Sequence, residues 1–183
     1  MAMPATPVLW TAEMVRALPA DGNRYEVVHG ELLVSPAPRP WHQEVVGRLY
    51  ESFRAYLRHE RVGHVFQAPL EARHSPTTEL QPDIVVFRTG AVTPTSWAAL
   101  ADTLLIVEVL SPSTARNDRF VKRPVIQQAG VPLLWIVSAD DGTVECWTPE
   151  LHLPHIERDT LTWYPTAARA PFMMPLAELL RPM

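Results

Sequence analysis

The sequence predicts a mixed α/β fold, a central sheet holding parallel and antiparallel strands together and flanked by helices. Three observations carry this. Residues His42–His59 place Val45, Val46, Leu49, Phe53, Tyr56 and Leu57 on one face at helical spacing, with a Glu- and Arg-rich face opposite. Leu80–Phe87, Leu104–Leu110 and Leu133–Ser138 are apolar, β-branched runs of the kind buried on both sides of a sheet. A helical stretch separates the second and third of these runs, and the order helix, strands, helix, strand is that of a sheet covered by helices. The 183 residues suit one domain spanning 1–183 and are too few for two comfortable ones.

Each element has a local cause. The start is Pro- and Ala-rich, with a short helical turn expected at Thr11–Ala17. Arg24–His29 and Glu31–Ser35 alternate polar and apolar residues around Gly30, the pattern of a hairpin. Pro36, Pro38 and Pro40 break the chain before the long helix, and Gly63 ends the helical segment. His64–Ala72 is strand-like, and Ser111–Asn117 is a polar loop. Helical character resumes over Arg116–Ala129 and stops at Gly130. The turn Asp140-Asp141-Gly142 should fold Thr143–Thr148 back, antiparallel to Leu133–Ser138. Residues 152–164 suggest a further edge hairpin, and Pro175–Leu180 a terminal helix with Pro at its start.

Composition narrows the class. Apolar residues make up 47% and charged residues 20%, as in an ordinary globular protein. No apolar run approaches the roughly 18 residues of a membrane span, so no membrane partner is expected. The start, MAMPATPVLW, lacks a basic segment followed by an apolar one, so no signal peptide is read, and a cytoplasmic protein is expected. The single cysteine, Cys146, excludes an internal disulfide and a cysteine-rich zinc site. Net charge is −4, whereas a protein that grips DNA by neutralising phosphates is usually basic. Any DNA must therefore be held locally, or through a metal ion, or not at all. Of 16 basic side chains only Lys122 is lysine. Either this is chance, or the site needs the compact charge and shiftable pKa that arginine lacks.

Asp83 opens one buried run, in Gln81-Pro82-Asp83-Ile84-Val85-Val86, and Glu108 lies inside another, Leu105-Ile106-Val107-Glu108-Val109-Leu110. A carboxylate in an apolar strand is costly unless it is paired or binds a cation. Adjacent strands would bring the two together, and oxygen ligands of this kind suit Mg²⁺ or Mn²⁺. The alternative is that each pairs with one of the many arginines. Asp118 and Lys122 stand four apart and face the same way on a helix, as an ordinary ion pair or as part of a site. Other candidates are weaker. Ser111 and Ser113 lack a nearby His and the glycines of a nucleophile elbow. His152 and His155 lack a third metal ligand.

Pro82-Asp83, Glu108-Val109-Leu110-Ser111-Pro112-Ser113-Thr114, Asp118-Arg119, Lys122-Arg123, Ala129-Gly130-Val131-Pro132 and Trp135 occur in an order that resembles the Uma-type restriction endonuclease family, within the broad PD-(D/E)XK nuclease group. Arg24-Tyr25-Glu26, Gly30-Glu31, Ser35-Pro36-Ala37-Pro38 and His42-Gln43 are similar to the same family upstream. The likeness covers roughly residues 24–148, leaving 1–23 and 149–183 as extensions. It implies a restriction-endonuclease-like fold, an endonuclease acting on DNA, and Asp83 and Glu108 as ligands of Mg²⁺ or Mn²⁺. It implies that Lys122 steadies the phosphate or orients the attacking water, and that Glu31 and His42 complete the site. On the residues alone, Glu31 reads equally as a hairpin-end charge and His42 as a helix N-terminal residue.

The chain departs from the family pattern at several positions. Leu110 stands where the wider group places a lysine. Ile126, Leu133-Leu134 and Ser138 replace an expected tyrosine, an acidic-aromatic pair and an aspartate. Pro124 interrupts the helix that should carry Lys122, so the helix either kinks there or begins there with Lys122 in a loop. These departures allow a second reading, a catalytically degenerate nuclease fold serving as a binding or assembly module. Leu133 and Leu134, if exposed, would then mark a homodimer contact, while a buried strand explains them equally well.

Overall fold

The computed structural model describes residues 8–183. The first seven residues, on which the absence of a leader was partly read, lie outside the described residues. The chain opens with α1 (Ala12–Arg16), capped by the Thr11 hydroxyl, which accepts from the Met14 N–H. Strands β1 (Arg24–Val28) and β2 (Glu31–Ser35) form the expected hairpin, with Gly30 at φ 82° in the tight turn. Helix α2 (Pro40–Glu60) follows with proline in its first turn, and Arg61 ends it in the left-handed region.

The segment expected as a single strand from His64 is divided. It forms β3 (Gly63–Gln67), a break at Ala68-Pro69, and β4 (Ala72–Ser75). The apolar run beginning at Leu80 is divided as well, into β5 (Thr78–Leu80) and β6 (Ile84–Arg88). Pro82, which cannot donate to a ladder, lies between the two parts. After a 3-10 turn (Leu100–Asp102) come β7 (Thr103–Val109), α3 (Ala115–Asn117), a π-helical turn (Asp118–Lys122) and α4 (Arg123–Gln128). The remaining elements are β8 (Leu134–Ser138), β9 (Thr143–Trp147), β10 (His155–Glu157), β11 (Thr160–Trp163), β12 (Phe172–Pro175) and α5 (Leu176–Leu179).

The central sheet has six strands in the order β10-β9-β8-β7-β6-β3. It is mixed, since β7 and β8 are parallel and the other pairs antiparallel. A second sheet, β2-β1-β5-β4, contains the hairpin, and β11-β12 form a third. Residues 152–164 are therefore not one hairpin. Strand β10 extends the central sheet, while β11 pairs with β12.

Alternation along the central strands sorts two cores. Ile84, Val86, Leu105 and Val107 face α2, whose Val45, Leu49 and Phe53 are buried against them. The C-terminal segment joins this core, with Phe172 stacked on Phe53 at 4.3 Å. On the other face, Val85, Phe87, Ile106, Leu134 and Ile136 pack with the hairpin residues Val28 and Leu33 and with Val125 and Ile126 of α4. Ile126 thus fills core volume. Leu134, on a strand flanked on both sides, is only 1% exposed, and Leu133 packs against the other core. The expected dimer contact through Leu133 and Leu134 is corrected accordingly.

Pro124 stands in the first turn of α4 and does not strand Lys122 in a loop. The backbone widens into a π turn, in which the Arg123 N–H donates to the Asp118 carbonyl five residues back. Pro124 has no N–H to offer the Arg119 carbonyl, and the Arg123 guanidinium supplies that donor through Nε at 2.8 Å. Lys122 is thereby held on a helical surface that faces the sheet.

Candidate active site

Strand register brings the two strand carboxylates together. Ile84 lies opposite Val107 on antiparallel β6 and β7, so Asp83 and Glu108, one step further along, face each other. Both project to the sheet face shared by Val85 and Ile106. The Val109 N–H donates to Asp83 Oδ2 at 2.8 Å, which ties the two strands at this point.

Asp83 is fully satisfied. Its Oδ1 accepts from Arg24 Nη1 at 2.6 Å, and its Oδ2 pairs with His42 Nε2 at 3.1 Å. Arg24 comes from the start of β1 and His42 from the first turn of α2. Burial alone would raise the Asp83 pKa. The hydrogen bond from His42 and the charges of Arg24, His42 and Lys122 overcome it and hold the carboxyl well below its ordinary range.

Glu108 sits in the opposite situation. Its Oε1 accepts from Lys122 Nζ at 2.8 Å, while its Oε2 is buried without a partner. The same ammonium lies 2.7 Å from Asp118 Oδ1 and 3.4 Å from Glu26 Oε2. Asp118 is thus within ion-pair distance, although that oxygen is not aligned for a hydrogen bond. Glu26 is fixed from its other oxygen, which accepts the Gln81 N–H at 2.8 Å. Desolvation, with Asp118, Asp83 and Glu26 nearby, pushes the Glu108 pKa well up despite the attraction of Lys122. Burial would lower the Lys122 pKa, but Glu108, Glu26 and Asp118 raise it well above its usual value. Four carboxylates (Glu26, Asp83, Glu108, Asp118) share two permanent cations, Lys122 and Arg24.

A cleft of about 620 Å³ opens beside this cluster. Arg24, His42 and Asp83 line it, together with Arg39, Gln67, Gln81 and the loop Ser111–Thr114. Lys122, at 1% exposed, does not face it, nor does Glu108. The π turn directs the only lysine of the chain inward, to the centre of three carboxylates. Among the described residues no group of three or more His, Cys, Asp or Glu side chains stands ready as a metal cage. Lys122 occupies the middle of the acidic group.

Asp83, Glu108, Lys122 and His42 are therefore brought together as expected, and Glu31 is not. It lies exposed at the turn end of the hairpin, opposite Val28, while the cluster lies at the Arg24 end. Glu26 and Arg24 were not singled out as site residues from sequence. The available signal for Glu26 was an acid placed just before two valines in an alternating strand, the same signal that marked Asp83 and Glu108. For Arg24 no such signal exists, because an arginine opening a strand is ordinary.

A mixed sheet flanked by helices, whose antiparallel strands present two facing carboxylates with Asp83 at the wall of a cleft, defines a mixed α/β class with a buried acidic site. The family "Uma2: Putative restriction endonuclease" matches residues 12–168, and the chain belongs to it. No curated protein sequence matches the chain. Its fold is similar to the crystal structure of a putative nuclease belonging to DUF820 from Anabaena variabilis. The TM-score is 0.76 at 19% sequence identity, covering 93% of this chain and 97% of the other.

Proposed function

We propose that the protein is a divalent-metal-dependent endonuclease that hydrolyses DNA phosphodiester bonds at the Asp83–Glu108 pair. The observation that carries this reading is the buried, unpartnered Oε2 of Glu108 in a cluster where four carboxylates share two permanent cations. Such a group calls for a cation or a proton, and its all-oxygen donors fit Mg²⁺ or Mn²⁺. Asp83 and Glu108 would hold the metal. When bound, the metal supplies polarisation of a phosphoryl oxygen and a lowered pKa for water.

The remaining roles belong to the chain's own groups. Arg24 and Arg39 line the cleft and offer donors to phosphate oxygens. His42, oriented by Asp83, stands at the cleft wall to hold or pass a proton. Lys122 keeps three carboxylates together and sets the protonation of Glu108, a positioning role in place of direct phosphate contact.

One observation favours the second reading, a binding module that has lost catalysis. Every oxygen of Asp83 is already engaged, by Arg24, His42 and the Val109 N–H. Metal entry must then displace one of these partners. Calorimetry with Mg²⁺ and Mn²⁺ on wild type and Glu108→Gln, beside plasmid nicking in the same buffer, separates the two. Metal uptake and nicking that both vanish in the variant support the nuclease. Absence of uptake in wild type leaves the binding module.

A further inference from the structure

A second charged feature lies at the far end of α2. Arg54, Arg58 and Arg61 line a depression of about 520 Å³ with His64 and Phe66 of β3. Arg58 and Arg61 also border an adjoining one of about 420 Å³ with Arg169. Among the described residues none of these four arginines enters an ion pair. Arg16, Arg24, Arg48, Arg73 and Arg119 do, and what sets the four apart from the other unpaired arginines is that they border two adjoining depressions. The negative groups facing the patch are few. Glu51 flanks it on α2, and Glu60 lines the adjoining depression, one of its oxygens accepting the Arg169 N–H, so two carboxylates face the arginines. The carbonyl end of the helix offsets only part of the remaining charge. In a chain of net charge −4, unpaired arginines gathered at one place form a local anion site.

The patch is continuous with the cleft. Gln43, Gly47, Tyr50, Arg54 and Arg58 follow one another at gaps of three or four residues, a single stripe along α2, and Arg61 caps its end. Gln43 lines the cleft, and Arg58 and Arg61 line the basic depression. Strand β3 runs the return path, from His64 at the patch to Gln67 at the cleft. Mid-stripe, Gly47 has nothing within 4 Å of the place a Cβ would take. No intramolecular contact requires glycine there, although glycine weakens a helix interior. Its absent side chain leaves a flat spot where another backbone can approach closely.

We propose that this stripe is a track for duplex DNA, with the arginine end of α2 gripping the phosphate backbone at a distance from the bond in the cleft. The proposal rests on the nuclease reading above and specifies its substrate as a duplex long enough to span both sites. From Gln43 to Arg58 the helix rises about 22 Å at ~1.5 Å per residue, which equals between six and seven base pairs at ~3.4 Å each, about 22 Å in all. Backbone contacts of this kind position the substrate and carry no sequence preference.

The test is fluorescence anisotropy on the full chain, with Ca²⁺ replacing Mg²⁺ and two labelled probes. One is a duplex of about 20 base pairs and the other a hairpin of about four, about 14 Å long and too short to reach from Gln43 to Arg54, about 16 Å along the helix. For the Arg54→Ala/Arg58→Ala variant we expect about tenfold weaker binding of the long duplex and a salt slope smaller by about one to two, with hairpin binding unchanged. Gly47→Gln, which crowds the track without removing charge, should also weaken long-duplex binding while helical circular dichroism is retained. Equal long-duplex affinity in wild type and the arginine variant overturns the track and leaves the nuclease reading standing. An equal loss on both probes also overturns it, because the contact would then not be distant. If wild type binds neither probe, the nuclease reading fails and the track with it.

Discussion

Asp83 and Glu108 face each other across two strands, yet their surroundings drive them in opposite directions. Asp83 borders the cleft, has three donors and stays ionised. Glu108 is sealed from the cleft, has one donor for two oxygens and is pushed toward its protonated form. A similar contrast holds for their cations. Arg24 keeps 19% of its side chain exposed and reaches the cleft, whereas Lys122 is buried among three acids. Identical chemistry on neighbouring strands is thus divided into a solvent-facing half that can meet substrate and an inner half that stores unbalanced charge. The imbalance is what a divalent ion would relieve.

The largest expected effect comes from the inner half. Lys122→Met conserves most of the volume but leaves three buried carboxylates without their shared cation, which should cost about 3–5 kcal/mol. Arg24→Met removes a charged hydrogen bond from the half nearer solvent and should cost less, about 1.5–3 kcal/mol. Urea denaturation of both variants measures the difference, and equal losses would erase the distinction between the halves.

Proton linkage sharpens the comparison. The Asp83 pKa is held below its ordinary 3.8, so its contribution to stability is present above that value and is lost as pH falls toward the native pKa. The Glu108 pKa is raised above its ordinary 4.5, so its contribution is present below that value and is lost as pH rises through the native pKa. Asp83→Asn should therefore flatten the acid limb of the stability profile. Glu108→Gln should gain stability relative to wild type as pH rises above the ordinary carboxyl value of 4.5 in metal-free buffer. Urea midpoints across that range give both signs, and parallel profiles for the two variants would contradict the opposed shifts.

The smallest effect lies outside the site. Gly47→Ala places a methyl group in open space within α2 and should stabilise the fold by about 0.8–1 kcal/mol, read as a raised melting temperature.

Much of this architecture was legible because it depends on local pattern. The periodic burial of Val45 to Leu57 follows from helical spacing, and Asp83 and Glu108 stood out because a charge in an apolar strand is costly without a partner. Where two elements of the pattern looked alike, locality failed. Thr160–Trp163 carried the same strand signal as His155–Glu157, but its partner, Phe172–Pro175, is chosen by packing on Phe53 and not by proximity in sequence. Ile126, read as a departure from a site residue, proved to be volume required by the core between α4 and the sheet.

The sequence by itself determined the two carboxylates inside apolar strands, the single lysine four residues after Asp118, and the long helix that covers the sheet, since each follows from residue type and period along one segment. Tertiary structure alone decided the company those residues keep. The hairpin delivers Glu26 and Arg24 to the site from more than fifty residues upstream of Asp83 and turns Glu31 away. The π turn resolves the missing N–H of Pro124 and points Lys122 inward. The lengths of α2 and β3 carry unpaired arginines far from the acids that would otherwise neutralise them. Charges act across space and not along the chain, so their balance exists only once the segments are folded together.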